Sequence, residues 1–473
     1  WVHSQDREAA TRKAADLVRM AAARAALLEP QTTFDVPVQH EALVVGGGVA
    51  GMAAAVSLAE QGFPVHLVEK EAALGGNLRS VFTEIKQSPQ SPRQILERLV
   101  QDVQQQPGIS LHLEAEVVET GGFMGNFTSQ IRERDGRTQT IQHGATILAT
   151  GAVEYRGDEY GYGTDSRIVT QQEFEAVLSG GEPISEVAMI QCIGPAEKFC
   201  GRICCAVALK NALAVKERNP ETAVTIFYRD IRTYGFSERL YTRARAQGVL
   251  FVRYDDETRP EVSVVDGKLQ VKGWEPVLKR PLLLQPDCLV LSVPAVPRAD
   301  SKQVASLFKA PLDADGFFQE AHIKLRPVDF NTDGIFMAGM AHYPKLTGET
   351  MIQAQAAAAR AARVLSRDSL TAGGQVAVVD AGMCTGCLTC VRICPFGVPE
   401  IRSDLMGVGG IAGAAYIETA VCRGCGTCVS ECPARAIQLM HYTDAQLQAK
   451  VEALVDTAVP FIPIREIEEN VTL

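Results

Sequence analysis

The sequence predicts an α/β protein of two successive strand–turn–helix units, followed by a small α+β cysteine-rich module. Three observations predict it. A glycine-rich turn at 46–51 sits between a strand pattern and a helix pattern, strand–helix alternation resumes over 186–293, and two four-cysteine runs lie near the C-terminus.

Length and composition set the bounds. The 473 residues leave room for two to four domains. With 46% hydrophobic residues the chain has a globular composition, and its net charge of −10 carries no basic cluster. That excludes nucleic acid and anionic membrane as expected partners. Residues 42–59, "ALVVGGGVAGMAAAVSLA", are uncharged, and a bilayer helix needs about 20 such residues. Three consecutive glycines there read instead as strand, tight turn and helix, so no membrane span is expected. The chain starts at Trp1 without a signal-peptide pattern, and is expected to be a processed product or one lacking an upstream part. Eight of its 13 cysteines sit in runs that need reduced thiolates, which makes the cytoplasm the expected location.

Taken in order, residues 4–28 read as an amphipathic helix, with Ser4 or Asp6 as N-cap. Residues 29–39 are a Pro-containing connector, and the first unit opens at 40. Its further strands are expected at 111–119 and 145–149. A second unit, 156–299, has strands at 186–194, 223–230, 248–254 and 287–293 and a helix at 204–217. Over 300–365 the chain is expected to return to the first unit through a strand at 334–339 and an Ala-rich helix. Residues 366–375 are a small-residue linker, 376–440 the cysteine-rich module, and 441–473 a charged tail wrapping onto a surface.

In "VVGGGVAG", Gly46, Gly48 and Gly51 have G-x-G-x-x-G spacing. A second strand follows, with Glu69 18 residues after Gly51. That context points to a bound dinucleotide. The first glycine allows the turn, the second lets backbone approach the pyrophosphate, and the third lets helix and strand pack. The helix N-terminus then meets phosphate charge, and Glu69 takes ribose hydroxyls. "LGGNLRS" (74–80), "ATILATGAVEY" (145–155) and "TDGIFMAGM" (332–340) resemble segments of the thioredoxin reductase-like, two-dinucleotide-binding flavoproteins. The resemblance implies FAD, with Gly75, Gly76, Asn77, Thr150, Gly151, Gly339 and Met340 along the cofactor, and Lys70 and Val117 beside it. Met340 stands where that group usually has Asp.

At the corresponding turn of the second unit the chain reads "IQCIGPAEKFCGRICC". Gly194 survives and the rest of a nucleotide fingerprint does not, so nicotinamide binding there is not expected. Cys192, Cys200, Cys204 and Cys205 admit three explanations: inert core thiols, a dithiol at Cys204–Cys205, or four thiolates around a metal centre. Zinc accepts such ligands, while a flavin nearby gives a [4Fe–4S] cluster a purpose. Cys288, in "PDCLVLSV", is expected to be a core residue.

"CTGCLTCVRICP" (384–395) and "CRGCGTCVSECP" (422–433) are C-x2-C-x2-C-x3-C-P runs of the bacterial dicluster ferredoxin type, in which the fourth cysteine of each run serves the other cluster. One cluster is therefore assigned Cys384, Cys387, Cys390 and Cys432, and the other Cys422, Cys425, Cys428 and Cys394. Pro395 and Pro433 turn the chain after each crossing cysteine.

Residues 1–365 resemble the A-type subunit of heterodisulfide reductase, through "WVHSQDREAATRKAADLVRMA", "VVGGGVAGMAAA", "GGFMGNF", "FCGRICC" and "GIFMAGMAHYPK". The resemblance makes Cys192, Cys200, Cys204 and Cys205 ligands of a third [4Fe–4S] cluster. It implies an electron-transfer subunit performing flavin-based bifurcation or confurcation. Implied partners are disulfide- or thioester-reducing subunits, ferredoxin, and a hydrogenase, formate dehydrogenase or NADH module, with a homodimer inside the complex. Lys345, and secondarily His342, are placed by the isoalloxazine as catalytic candidates. A non-bifurcating relay and a stand-alone dithiol oxidoreductase are the rival readings. Longer members of the family carry a domain before the "WVH" segment and a ferredoxin insert after the "GFMGNF"-like segment.

Overall fold

The computed structural model describes residues 5–31, 33–82, 91–181 and 183–455; Ser4 and 456–473 of the expected tail lie outside them. The chain divides into two units, Val38–Asp368 and a second made of Trp1–Pro37 with Ser369–Leu473.

In the first of these, two parallel sheets of five strands carry the architecture. One has the order Ile335–Met337, Ala145–Leu148, Ala42–Val45, Val65–Val68, Ile109–His112. Its central strands read as unbroken apolar runs because both faces are covered. Leu43, Leu148 and Met337 pack with Phe318 and Phe330 on one side, and the Ala-rich helix Thr347–Leu365 buries its small residues beside helix Val49–Glu60. From Ala42–Val45 the chain winds outward one way, then returns on the other side with Ala145–Leu148. That reversal leaves a crevice at the carboxyl ends of those two strands, where ligands bind in open α/β sheets.

The other sheet repeats the plan, in the order Ile168–Thr170, Cys288–Ser292, Glu186–Gln191, Ala223–Tyr228, Leu250–Arg253. Its reversal lies between Glu186–Gln191 and Cys288–Ser292. Cys288 is buried in that strand against Val187 and Leu209. Each sheet carries a three-stranded antiparallel ribbon, Ala115–Phe123 with Asn126–Glu133 and Thr138–His143, and Glu261–Val265 with Lys268–Glu275 and Arg280–Leu284. The segment expected as one strand at 111–119 is split at Glu114, whose φ of +50° turns the chain from the sheet into the ribbon. The two crossings between sheets pair as short antiparallel strands, Ala152–Glu154 and Ala295–Pro297.

The second unit corrects two expectations. The connector and the linker are strands, and they pair with each other: Thr33–Pro37 runs antiparallel to Ser369–Gly373. Helix Arg7–Ala25, capped by Asp6, packs on helix Asp444–Val455. Arg24 donates to the His441 carbonyl at 3.0 Å and lies over the Tyr442 ring. The cysteine-rich module has two antiparallel pairs, Ala377–Val379 with Ile437–Leu439 and Glu400–Met406 with Ala412–Tyr416, and one short helix per run, Thr389–Ile393 and Thr427–Ser430. Among the described residues no helix is long and apolar enough to cross a membrane.

Candidate functional site

A cleft of about 790 Å³ opens at the reversal of the first sheet. Gly46, at φ +111°, takes the chain off its strand; a Cβ there would come within 2.3 Å of the Ala149 carbonyl oxygen. A Cβ on Gly51 would come within 1.7 Å of the Gly46 carbonyl oxygen, so Gly51 serves helix–strand packing and does not line the cleft. Gly48 lines the cleft with open space where its Cβ would stand. Backbone and the N-terminus of helix Val49–Glu60 therefore face the cleft bare, a fit for phosphate.

The other expected cofactor residues fall into two groups. Glu69, Lys70, Gly75, Gly76, Asn77, Val117, Thr150, Gly151 and Met340 line the cleft, whereas Gly339 does not. Glu69 accepts the Gly47 and Glu71 N–H groups, which pin its carboxylate and leave lone pairs for a ribose. Lys70 is bonded to Asp300 at 2.9 Å, and Asn77 donates to the Ala152 carbonyl at 2.8 Å. The Thr150 hydroxyl is buried without a partner in the protein and lines the cleft. A buried hydroxyl of that kind calls for a ligand atom.

Lys345 lines the cleft at 5% exposure, donating to the Gly339 carbonyl at 2.6 Å with its ammonium 3.8 Å from the Tyr343 ring centre. Burial, with Arg202 nearby, pushes its pKa down to about 7. His342 does not share this position. It lies off the cleft, with Nδ1 accepting from Gln353 at 2.7 Å and Nε2 facing Glu320 at 2.9 Å. Burial and the Lys345 charge hold its pKa at about 4, so it is a neutral ring serving both bonds as one tautomer. Gln353 in turn accepts the Gly339 N–H, which makes His342 a support for the turn.

The cysteine turn occupies the reversal of the second sheet. Cys192 follows strand Glu186–Gln191 directly, and the Cys204 thiol donates to the carbonyl of Val293, just past Cys288–Ser292. Two non-glycine residues, Cys192 at φ +62° and Arg202 at φ +61°, bend the loop at a cost of about 1–3 kcal/mol each. Gly201 allows the loop to close, since a Cβ there would come within 2.7 Å of the Cys204 sulfur. At Gly194, where a nucleotide-binding turn needs open space, the Tyr155 ring would stand 2.4 Å from a Cβ, with the Glu159 carboxylate beside it. An aromatic ring and an anion exclude pyrophosphate from that turn.

Electrostatics tie the four thiols together. Burial pushes Cys204 far up, with Cys205, Cys192 and Cys200 opposing its ionisation further. Burial likewise holds Cys205 at about 11, against Cys192 and Cys200, and raises Cys192. Backbone N–H groups point at two of the sulfurs, Arg202 to Cys200 and Arg232 to Cys205, both at 3.4 Å. Four thiols whose ionised forms would repel one another, two of them facing backbone N–H groups, suit a cationic centre, which stabilises thiolate outright. Among the described residues no three His, Cys, Asp or Glu side chains close on a single ion. Cys204 lines the cleft and is the one cysteine lining it among the described residues, while Cys205 turns away toward the carbonyl of Asp230. A Cys204–Cys205 dithiol therefore presents only one sulfur to the cleft.

In the cysteine-rich module, Cys384, Cys387, Cys390 and Cys432 line one small cavity. Burial raises Cys428 to about 11, with Cys422, Cys394 and Cys425 next to it. These are the two crossed sets. Their surroundings match in kind: Cys384 accepts from Gly386 and Ala415, Cys422 from Gly424 and Ala377, Cys394 from Val398, and Cys432 from Ala436. Thr389 and Thr427 sit by Cys387 and Cys425. Equal N–H···S patterns predict two centres that titrate within about 59 mV, tenfold for one electron; a potentiometric EPR titration measures the gap. Cys432→Ser is expected to disturb the centre of the first run and to leave the second intact, read by iron content and EPR.

Comparisons with known proteins bear on this arrangement. The family described as pyridine nucleotide-disulphide oxidoreductase matches residues 40–177, and the 4Fe-4S dicluster domain matches 383–437. An A-type iron-sulfur subunit of the CoB--CoM heterodisulfide reductase of Methanopyrus kandleri is 32% identical, over 85% of this chain and 76% of that one. The chain belongs to the family of heterodisulfide reductase A-type subunits. A second member, the A-type subunit of the H(2):CoB-CoM heterodisulfide,ferredoxin reductase of Methanothermobacter thermautotrophicus, is 32% identical over 96% of this chain and 82% of its own. Its 556 aligned positions exceed the 473 residues here, so this member of the family carries extra internal residues. Among solved structures, a thioredoxin reductase of Lactococcus lactis aligns with TM-score 0.49 at 18% identity, over 69% of this chain and 97% of its own. As a member of this family the chain is an oxidoreductase and an electron-transfer subunit with a flavin-type domain and a 4Fe-4S dicluster domain.

Several residues that line the cleft carry no mark in the sequence motifs. Gln171, Gln172 and Glu175 come from helix Gln171–Gly180, and Val207 and Lys210 from the helix that Cys204 opens. One signal is available: Cys204, Val207 and Lys210 are spaced three apart and share a helix face.

Proposed function

We propose that the chain binds one FAD and three [4Fe–4S] clusters. In this reading it serves a cytoplasmic heterodisulfide reductase-like complex by flavin-based electron bifurcation or confurcation. Electrons would pass between a two-electron donor, a low-potential ferredoxin and a disulfide or thioester acceptor. Hydrogenase, formate dehydrogenase or an NADH module would donate, and the chain would work as a homodimer. The observation that carries the reading is that Cys204 belongs both to the cleft wall and to the four-cysteine turn. A ligand of one redox centre is thereby a wall of the other.

FAD, when bound, converts two-electron to one-electron traffic, and the clusters carry single electrons. The chain's own residues do the rest. Gly46 and Gly48 with the helix Val49–Glu60 would receive the pyrophosphate, and Glu69 the ribose. Thr150 would satisfy its hydroxyl on the cofactor. Tyr155 and Glu159 would close the turn at Gly194 to a nicotinamide. Lys345 would set the charge beside the ring, with His342 as its supporting neighbour.

Two measurements test this. Redox titration of bound FAD is expected to give one-electron potentials in strongly crossed order; well-ordered potentials would favour the relay without bifurcation. The A-type subunit of the ferredoxin:CoB-CoM heterodisulfide reductase of Methanosarcina mazei, a relative whose name carries a single donor, keeps that relay in view. For Lys345, whose pKa is about 7, the ammonium is charged below that pH and neutral above it. The flavin potential of the wild type is therefore expected to exceed that of Lys345→Met at pH 6 and to converge on it at pH 8 and above. A constant difference across that range would remove Lys345 from the role.

A further inference from the structure

Strands Glu186–Gln191 and Cys288–Ser292, buried and apolar along their length, each end on a polar residue. Gln191 and Ser292 stand opposite one another in register, both 0% exposed. They lie at the crevice that holds the cysteine turn. Cys192 follows one of them, and the other precedes Val293, whose carbonyl meets the Cys204 thiol at 3.6 Å.

A chain of buried hydrogen bonds fixes which way the Gln191 amide faces, since the two ends of an amide are told apart by their partners. The Asn211 nitrogen meets the Gln171 backbone carbonyl at 3.2 Å, so it is the donor end, and at 2.7 Å it also meets the Gln171 side-chain oxygen. Gln171 therefore gives its nitrogen to the Ser292 oxygen at 2.9 Å. The Ser292 proton then needs an acceptor, and the nearer end of the Gln191 amide lies 2.6 Å away. That separation is usual for O–H···O and short for N–H···O. With the nitrogen placed there instead, the Gln191 side-chain oxygen is fully buried without a donor. Gln191 thus accepts from Ser292 and turns its NH2 to the buried position beyond.

We infer that the Gln191 amide is a hydrogen-bond donor to a sulfur of the cysteine turn, held in that orientation by Ser292 and Gln171. The inference rests on the reading of the turn as a cluster site. A buried amide N–H is costly without an acceptor, and cluster sulfur supplies one. A cluster gains negative charge on reduction, so an N–H aimed at its sulfur favours the reduced form and raises the potential. A glutamine that merely ties the two strands together would leave the potential unmoved when replaced.

The test is the potential of the turn cluster in full-length, anaerobically purified protein, titrated by EPR with the two ferredoxin-type centres as internal reference. Gln191→Leu is expected to lower it by at least tenfold in the reduction equilibrium, about 59 mV for one electron. It should also abolish a nitrogen hyperfine coupling, seen at the reduced turn cluster of wild-type protein whose glutamine is isotopically labelled at the amide nitrogen. Ser292→Ala keeps the amide and removes its anchor. It is expected to shift the potential the same way by less, and it decides alone if Gln191→Leu assembles no turn cluster. An unchanged or raised potential with the turn cluster retained, no nitrogen coupling in the wild type, or loss of the turn cluster from both variants would overturn the inference. Wild-type protein whose turn binds no cluster would instead remove the reading on which it rests.

Discussion

Cys204→Ser is expected to lower the iron content of the full chain from about twelve to about eight atoms, since a cube needs its four thiolates. FAD should stay at one per chain, because the glycine turn that receives it lies on the other sheet. The two ferredoxin-type EPR signals should remain, and the bound flavin should lose its magnetic and redox coupling to a neighbouring cluster. Cys288→Ser is the control: that thiol is buried in a strand against Val187 and Leu209, held at about 12 by burial. Its loss should leave every iron atom in place. A Cys204→Ser protein with undiminished iron would dissociate the turn from any cluster.

The second large effect concerns the glycines. Gly48→Val should abolish FAD uptake, leaving less than about a tenth of the wild-type flavin absorbance, while the stability of the apoprotein changes by about 1 kcal/mol or less. The reasoning is steric. Gly48 has an ordinary φ of −75° and meets nothing where its Cβ would stand, so the new side chain fills the cleft and spares the fold. Gly51→Ala is the contrast, since its methyl would collide with the Gly46 carbonyl oxygen. There flavin loss should come with a stability loss of about 1–3 kcal/mol or more. Equal melting of the two variants would contradict this division of labour.

How much of this can be read in the sequence depends on what each feature needs. The strand–turn–helix of 42–60 and the crossed cysteine runs are local, and each has one physical solution. The pairing of Thr33–Pro37 with Ser369–Gly373 is not local, and the first strand is five mostly exposed residues ending in Pro, too short for its alternation to announce a partner. The gathering of Cys192, Cys200, Cys204 and Cys205 depends on positive φ at Cys192 and Arg202, which no spacing announces. Nearness in sequence puts His342 beside Lys345 at the cofactor, whereas in the fold only Lys345 reaches the cleft wall. The short 3₁₀ turn Gly339–Ala341 before His342 sends its ring to Gln353 and Glu320, off the cleft wall. Lys210 is hidden in an Ala/Leu-rich helix, and only the fold brings that helix to the cleft.

The claim that a third cluster stands in the second sheet's crevice, against the flavin, is tested most directly by counting centres. Mössbauer and EPR spectroscopy of anaerobically purified full chain, with iron and flavin assayed on the same sample, should give three [4Fe–4S] clusters per FAD. Two clusters per FAD, with the thiols of 192–205 titrating as free cysteines or recovered as a disulfide, would contradict it.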